Sequence, residues 1–436
     1  MSSFVDATGG AVEHCQLMAQ QHPDLAEEYY DKIADFCTQK LWHQLTLSVL
    51  DLVSQPTKTL RSTPEGTNSY LAIYDKVVLS IDSKLNPLSL ARIASYVASS
   101  LAPSEPAGAD DKDTTAAKAV LENLLANKAD SLGTSARIFA QAKLSLLTLN
   151  SVGTGSITLS EEQDVKRKQQ LASIKSIIAT NAESLKEMIQ APDTSESGMV
   201  HSAHYEMAMI YYKVVGPPES FYDQAMSYLN YAPLLPQDTA AADGVKSKYY
   251  HQLAVDLCLA ALTGEGVYNL GQVVSTPVLA ILDATPEQWL VEMLKACAKG
   301  DVLEFQKLTQ QYADPIAKQP ALVLRATAVQ EKLTLLALVN LVFEKHSSER
   351  TLNFQEISER LHIPVEQVEW VVMRAFSLHL MEGSMDQVDE TVAVTWVLPR
   401  VLDTAQLQAL GTRFGEWAVK VSKTKDYMQE QTPTFA

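Results

Sequence analysis

His201-Ser202-Ala203-His204 sets two imidazoles one helical turn apart, with Glu206 two residues on, and it is the nearest approach to metal-ligand spacing in the chain. A structural zinc site needs four donors, and no cysteine lies near this pair, so a surface or half-buried helical pair is expected instead. His43 stands between Trp42 and Gln44 on an apolar helix and is expected as a satisfied core histidine. Cys15, Cys37, Cys258 and Cys297 are scattered without CxxC spacing. The last three fall in helical patterns and read as small buried hydrophobes, which suits a reducing compartment. The carboxylate pairs Glu27-Glu28 and Glu161-Glu162 lie in polar stretches and read as solvated faces rather than acid/base dyads. Gly153-Thr154-Gly155 lacks the third glycine and the strand of a dinucleotide site, and neither a P-loop nor HExxH occurs. The sequence therefore offers no catalytic, cofactor-binding or metal-ligating residue, and no enzyme activity or cofactor is expected.

The elements around these residues are helices in pairs. Asp24 to Gln39 with Leu41 to Gln55, and Ser69 to Ser80 with Leu88 to Leu101, show apolar residues at helical spacing. Breaks rich in turn formers follow at 102–111, at 153–155 and at 191–198. Met199, Ala203, Met207, Ile210, Tyr211 and Val214 then form one helical face, Gly216-Pro217-Pro218 ends it, and Phe221, Tyr222, Ala225, Tyr228 and Leu229 define a returning helix of roughly tetratricopeptide size. Thr285-Pro286-Glu287-Gln288 reads as a capped helix start, Gly300 as its end, and Asp301 as the cap of the next helix. Such punctuation predicts antiparallel neighbours stacked as a solenoid, because one pair alone cannot cover its own apolar face.

From about Ser347 the pattern changes to a small winged helix ending near Arg400. Asn353 and Glu356 have the spacing of a capping box, and His362-Ile363-Pro364 breaks the first helix. A second helix carries Val365, Val368, Val372, Phe376 and Leu380 on one face. An acidic turn, Met381 to Glu390, leads to the β-branched run Thr391 to Val397, which predicts the wing strand. Winged helices often bind duplexes, which requires cations for the phosphates. Here the second helix offers Glu366, Glu369 and only Arg374, and the turn holds Glu382, Asp386, Asp389 and Glu390 with no basic residue. A formal net charge of −17 over 436 residues also disfavours polyanions and anionic membranes as partners. Protein contact is expected in place of DNA, with Thr391, Val392, Val394 and Trp396 as the candidate interface on the wing.

The chain closes on a helix with a heptad seam. Leu407, Leu410, Phe414, Trp417, Val421 and Met428 recur at alternating spacings of three and four, with Thr424 in the one polar slot. An apolar stripe with a Phe and a Trp calls for a partner, so these six are the second candidate interface. Gly411 and Gly415 lie one turn apart beside it. The N-terminus has neither a basic region nor an apolar run, so no secretory signal is expected. The longest apolar run, Leu333 to Phe343, is too short to span a bilayer.

Helical repeats, winged helix and terminal helix in that order resemble the PCI-domain subunits shared by the proteasome lid, the signalosome and a translation initiation factor. The lid branch is the more similar. The resemblance rests on Lys40 to Leu47, Asn86-Pro87-Leu88-Ser89-Leu90, Leu262 to Gly271, Gln288-Trp289-Leu290, Val368 to Ala375, Gly383 to Asp389 and Trp396 to Asp403. Departures fall in loops: a long stretch after Leu101, and Ser275-Thr276 where a histidine is expected. The expected fold is mostly α, an α-solenoid of tetratricopeptide-like helical pairs followed by a winged-helix (PCI) domain and a C-terminal helix. The expected divisions are an arm over 1–198, the helical part of the PCI domain over 199–345, the winged helix over 346–400 and the bundle helix and tail over 401–436. The resemblance implies a non-catalytic scaffold in the cytoplasm and nucleus. Its implied partners are other PCI lid subunits, a metalloprotease-type deubiquitinase dimer beside the terminal helix and a ubiquitin receptor near the arm. The alternatives are a PCI scaffold of a different complex and a winged-helix nucleic-acid adaptor.

Overall fold

Asn86 begins a helix by its own chemistry: its side-chain oxygen accepts the N–H of Leu88 at 3.0 Å, and Pro87 fills the first helical position, where no N–H is needed. Many such local choices build the chain. The computed structural model describes residues 7–22, 26–54, 68–102, 112–128, 131–152, 161–189, 195–232, 244–283, 285–345, 350–401 and 404–431. The expected breaks at 153–155, over 103–111 and over 191–194 lie outside the described residues, as does the start of the winged helix at Ser347, whereas 195–198, expected as part of a break, form the first turn of a helix.

Two compact units divide the chain, residues 1–233 and 234–436. The expected boundary at 198/199 falls inside the first of these. That unit contains α1 (Ala7–Gln21), α2 (Asp31–Thr38), α3 (Trp42–Ser54), α4 (Asn68–Ile73), α5 (Pro87–Leu101), α6 (Lys112–Asn127), α7 (Gly133–Val152), α8 (Glu161–Ile189), α9 (Ser195–Val215) and α10 (Pro218–Tyr231). Helix α4 runs on through a π turn, Tyr74–Val78, and a 3-10 turn, Leu79–Lys84. Helix α5 buries Leu90, Ala91, Ile93, Ala94 and Val97 against α6 and α7, and its small residues let those neighbours come close. Helices α9 and α10 form the predicted hairpin, and α9 also packs on α7, which is why the hairpin belongs to this unit.

The second unit contains α11 (Gly244–Thr263), α12 (Leu270–Val274), α13 (Gln288–Lys299), α14 (Val302–Gln311), α15 (Ala313–Ala317), α16 (Pro320–Leu324), α17 (Ala326–Glu344), β1 (Thr351–Asn353), α18 (Phe354–Leu361), α19 (Val365–Ser377), β2 (Met381–Asp386), β3 (Thr391–Val397) and α20 (Thr404–Gln431). Helix α17 contains the longest apolar run and is buried from Leu335 to Val342. It is the one described helix long and apolar enough to cross a membrane, and it forms the core here instead. Its Lys332 is buried, and the ammonium donates to the carbonyls of Ala261 at 2.6 Å and Gly264 at 2.9 Å, closing the end of α11.

Helix boundaries follow the sequence reading in part. Gly300 ends α13 at φ +64°, and a Cβ there would lie 2.7 Å from the Ala337 Cα, so only glycine fits. Asp301 caps α14 by accepting the Glu304 N–H at 2.9 Å. Thr285 does not cap α13. Its hydroxyl donates to the Leu282 carbonyl at the end of the turn Pro277–Leu282, and the helix starts at Gln288.

All four cysteines are buried, and burial pushes the thiols of Cys15, Cys258 and Cys297 up to about 12 and that of Cys37 to about 11. Native protein at pH 8 is therefore expected to leave all four thiols unreacted with an aromatic disulfide reagent, whereas chain unfolded in guanidinium should titrate four. A thiol reacting rapidly in the native state would contradict this burial.

Candidate protein-interaction site

Alternation along Thr391–Val394 puts Val392 and Val394 on one face, which the fold turns inward, and the irregularity at Thr395 shifts the period so that Val397 turns inward as well and Trp396 outward. The sheet order is β1-β3-β2, both pairs antiparallel, so β3 is the central strand. This corrects the candidate interface on the wing. Val392 and Val394 are core residues beside Leu352, Ile357, Val368 and Met381, and β3 has a neighbour on each edge. Of the four candidates, Trp396 is exposed and Thr391 half-buried. The edges beyond this sheet's pairing belong to β1 and β2.

Strand β2 also replaces most of the expected acidic turn. Only Gln387 to Glu390 turn, and Asp386 shapes that turn by accepting the N–H groups of Val388 at 2.9 Å and Asp389 at 3.1 Å. Between Glu382 and Gly383 the register slips by a bulge. The expected capping box is also absent: Asn353 stands at the cap of α18 without a side-chain bond, the Phe354 N–H donates to the Glu390 carbonyl, and Glu356 pairs with Lys345 at 2.5 Å.

The outer face of α19 carries large apolar groups. Trp370 is 55 % exposed and Met373, one turn on, is 47 % exposed; Val388 at the tip of the wing turn is 92 % exposed. The sequence reading missed these three. The signal was present, since Trp370 and Met373 lie off the face defined by Val368 and Val372. Arg374, the only cation on the helix, is held by Glu331 at 2.9 Å, and Gln387 donates to Glu369 at 3.1 Å. This face offers apolar surface and carboxylates, which suits a protein and opposes a phosphate backbone.

The seam residues Leu407, Leu410, Phe414, Trp417, Val421 and Met428 all lie on α20, and every side chain described on that helix is exposed. Trp417 is 65 % exposed and Phe414 60 %. A Cβ added at Gly411 or Gly415 would meet nothing, so that flank is open to a close neighbour.

The possible chemistry in the first unit is structural. His201 and His204 are buried, at 2 % and 1 % exposure, and do not form the expected surface or half-buried pair, because α10 returns over them. His201 stacks on Tyr231 with ring centroids 4.6 Å apart, and His204 meets the edge of Tyr205 at 5.4 Å. Glu206 is engaged by Lys143 at 2.7 Å, and no group of three potential metal ligands occurs among the described residues. His43, expected in the core, is exposed, because α3 buries Leu45, Thr46, Val49 and Leu50 and turns residue 43 outward.

Burial without an ionic partner holds His204 down to about 4, with the nearby His201 adding to the effect; His201 is itself lowered by burial. The sign follows from linkage. The folded state keeps His204 neutral while the unfolded chain takes up a proton below about 6.5, so stability is complete above that pH and falls toward pH 4. Acidification across this window is expected to cost the chain roughly 3 kcal/mol through this group. Urea titrations at pH 7 and pH 4.5 test this, with His204→Phe expected to flatten the difference. An equal pH dependence in the variant would refute the assignment.

Comparison with known proteins bears on all of these features. The family model for PSD13 N-terminal repeats matches residues 29–294, and that for the PCI domain matches residues 309–396. The chain is 28% identical to 26S proteasome non-ATPase regulatory subunit 13 of Dictyostelium discoideum, over 98% of each protein. It is 29% identical to homolog A of that subunit from Arabidopsis thaliana, over 97% of this chain and 98% of the relative. It is 28% identical to 26S proteasome regulatory subunit RPN9 of Saccharomyces cerevisiae, over 92% of each. With the repeat model covering more than half its length and the PCI model covering the winged helix, the chain belongs to the PSD13 family of PCI-domain proteins.

Proposed function

We propose that this chain is a non-catalytic scaffold subunit of the 26S proteasome regulatory-particle lid, supporting lid assembly and ubiquitin-dependent degradation. The observation that carries the reading is the exposed apolar seam on α20, which follows a PCI domain in a family whose named members are regulatory subunits. A stripe bearing Phe414 and Trp417 is the kind of surface that supplies binding energy when a partner removes it from water. In this reading the seam joins a bundle with the corresponding helices of neighbouring lid subunits, and the edges of β1 and β2 pair with like domains.

The metalloprotease-type deubiquitinase dimer then lies beside the bundle, and a ubiquitin receptor lies near the helical arm. The protein works in the cytoplasm and nucleus, wherever proteasomes assemble. The chain's part is positional, and no activity of its own is needed. Affinity purification of the tagged full-length chain from its own cells, with mass spectrometry, tests this reading. The other lid subunits should co-purify in near-equal amounts; a different set of PCI proteins without them would overturn it.

A further inference from the structure

Two stretches of the first unit that carry the family resemblance, 40–47 and 86–90, are far apart in sequence but border the same open concavity of about 600 Å³. Lys40, Lys84 and His43 line it together with the neutral polar side chains of Gln44, Asn86 and Ser89. Among the described residues no carboxylate lines it, although the chain as a whole carries a net charge of −17. Neither Lys40 nor Lys84 has a carboxylate partner among the described residues. Leu41, which is exposed, and Trp42, which is half-buried, add an apolar wall.

Lys40 is unusual in a second respect. It follows the end of α2 at φ +59°, where the N–H of Leu41 bonds back to the Phe36 carbonyl at 3.0 Å and that of Lys40 to Cys37 at 3.3 Å. Helix ends of this form ordinarily take glycine, and a side chain there costs about 1 kcal/mol. Strain of this kind gathers at functional positions, and here it sets a cation on the rim of the cavity.

We propose that this concavity is a docking site for an acidic protein segment. Adjacent Glu or Asp side chains of the segment meet Lys40 and Lys84, and one of its apolar side chains lies on Leu41 and Trp42. The site is far larger than one inorganic anion, and the apolar wall gives such an ion nothing. A nucleic acid would continue past the cavity onto an acidic protein, whereas a short acidic run ends within it. The proposal concerns the first unit alone and stands apart from the role of α20.

The test uses the full-length chain and a fluorescein-labelled octapeptide of alternating Glu and Leu, with fluorescence anisotropy at low ionic strength. Saturable binding is expected, about tenfold weaker for Lys84→Glu and lost for the same peptide with Gln in place of Glu. Lys40→Gly is expected to weaken binding about threefold while melting no lower than the parent, because glycine relieves the backbone. That combination separates recognition from folding. Several results would overturn the proposal: no saturable binding, binding indifferent to both substitutions, equal binding of the Gln peptide, or displacement as effective by inorganic phosphate or a single-stranded oligonucleotide.

Discussion

Trp417→Asp is expected to leave the free chain as stable as its parent and to prevent its entry into the lid. In the free chain Trp417 is 65 % exposed on a helix whose described side chains all face water, so a carboxylate there replaces solvated surface with solvated charge. The change in unfolding free energy should stay within about 0.5 kcal/mol. In a bundle the same position closes against other helices. The substitution then removes an aromatic anchor and buries an unpaired charge, a combined loss of about 4 kcal/mol, or about a thousandfold in affinity. A chain ending before Thr404 should behave alike, since none of the described buried residues lies beyond Val397. Native gels and sedimentation of lids assembled with each variant read the outcome. Normal incorporation of either one would remove α20 as the assembly determinant.

Gly383→Ala is expected to be the most damaging single-methyl change in the winged helix. A Cβ at this position would sit 2.2 Å from the Ala393 carbonyl oxygen and 3.0 Å from the Val394 Cα, both backbone atoms of the central strand. Neither can move without disturbing the pairing of β3 with β1, so the bulge that glycine permits would have to open. A loss of about 4 kcal/mol is expected, near the upper end for point substitutions. Ser384→Ala, on the exposed next residue of the same strand, should change stability by less than about 0.5 kcal/mol. Urea unfolding of both variants followed by circular dichroism checks the contrast, and a mild effect at Gly383 would show that the hairpin tolerates a wider bulge.

These surfaces were unevenly legible in the chain. The hairpin from Met199 to Leu229 and the seam from Leu407 to Met428 are written in periodicity, which local spacing alone reveals. The rank of β3 within its sheet is not local. A period-two pattern says that Val392 and Val394 share a face, but two other strands decide that this face is covered and both edges taken. One of those strands, β2, consists mainly of Glu382, Gly383, Ser384 and Asp386, poor strand formers that tertiary pairing recruits. The histidines failed for a related reason. Spacing set His201 and His204 on one helix, but Tyr231 on the returning helix is what stacks on His201. Of the concavity's lining, Lys40 and Asn86 lie in two separate matching blocks and Lys84 in neither, and the folding that brings the three together is long-range.

The exposure of α20 also fixes the kinetic order of its engagement. A seam that no described part of its own chain covers is open to a partner without any contact first being released. The rate of joining should then rise in proportion to partner concentration, with no plateau set by the uncovering of this surface.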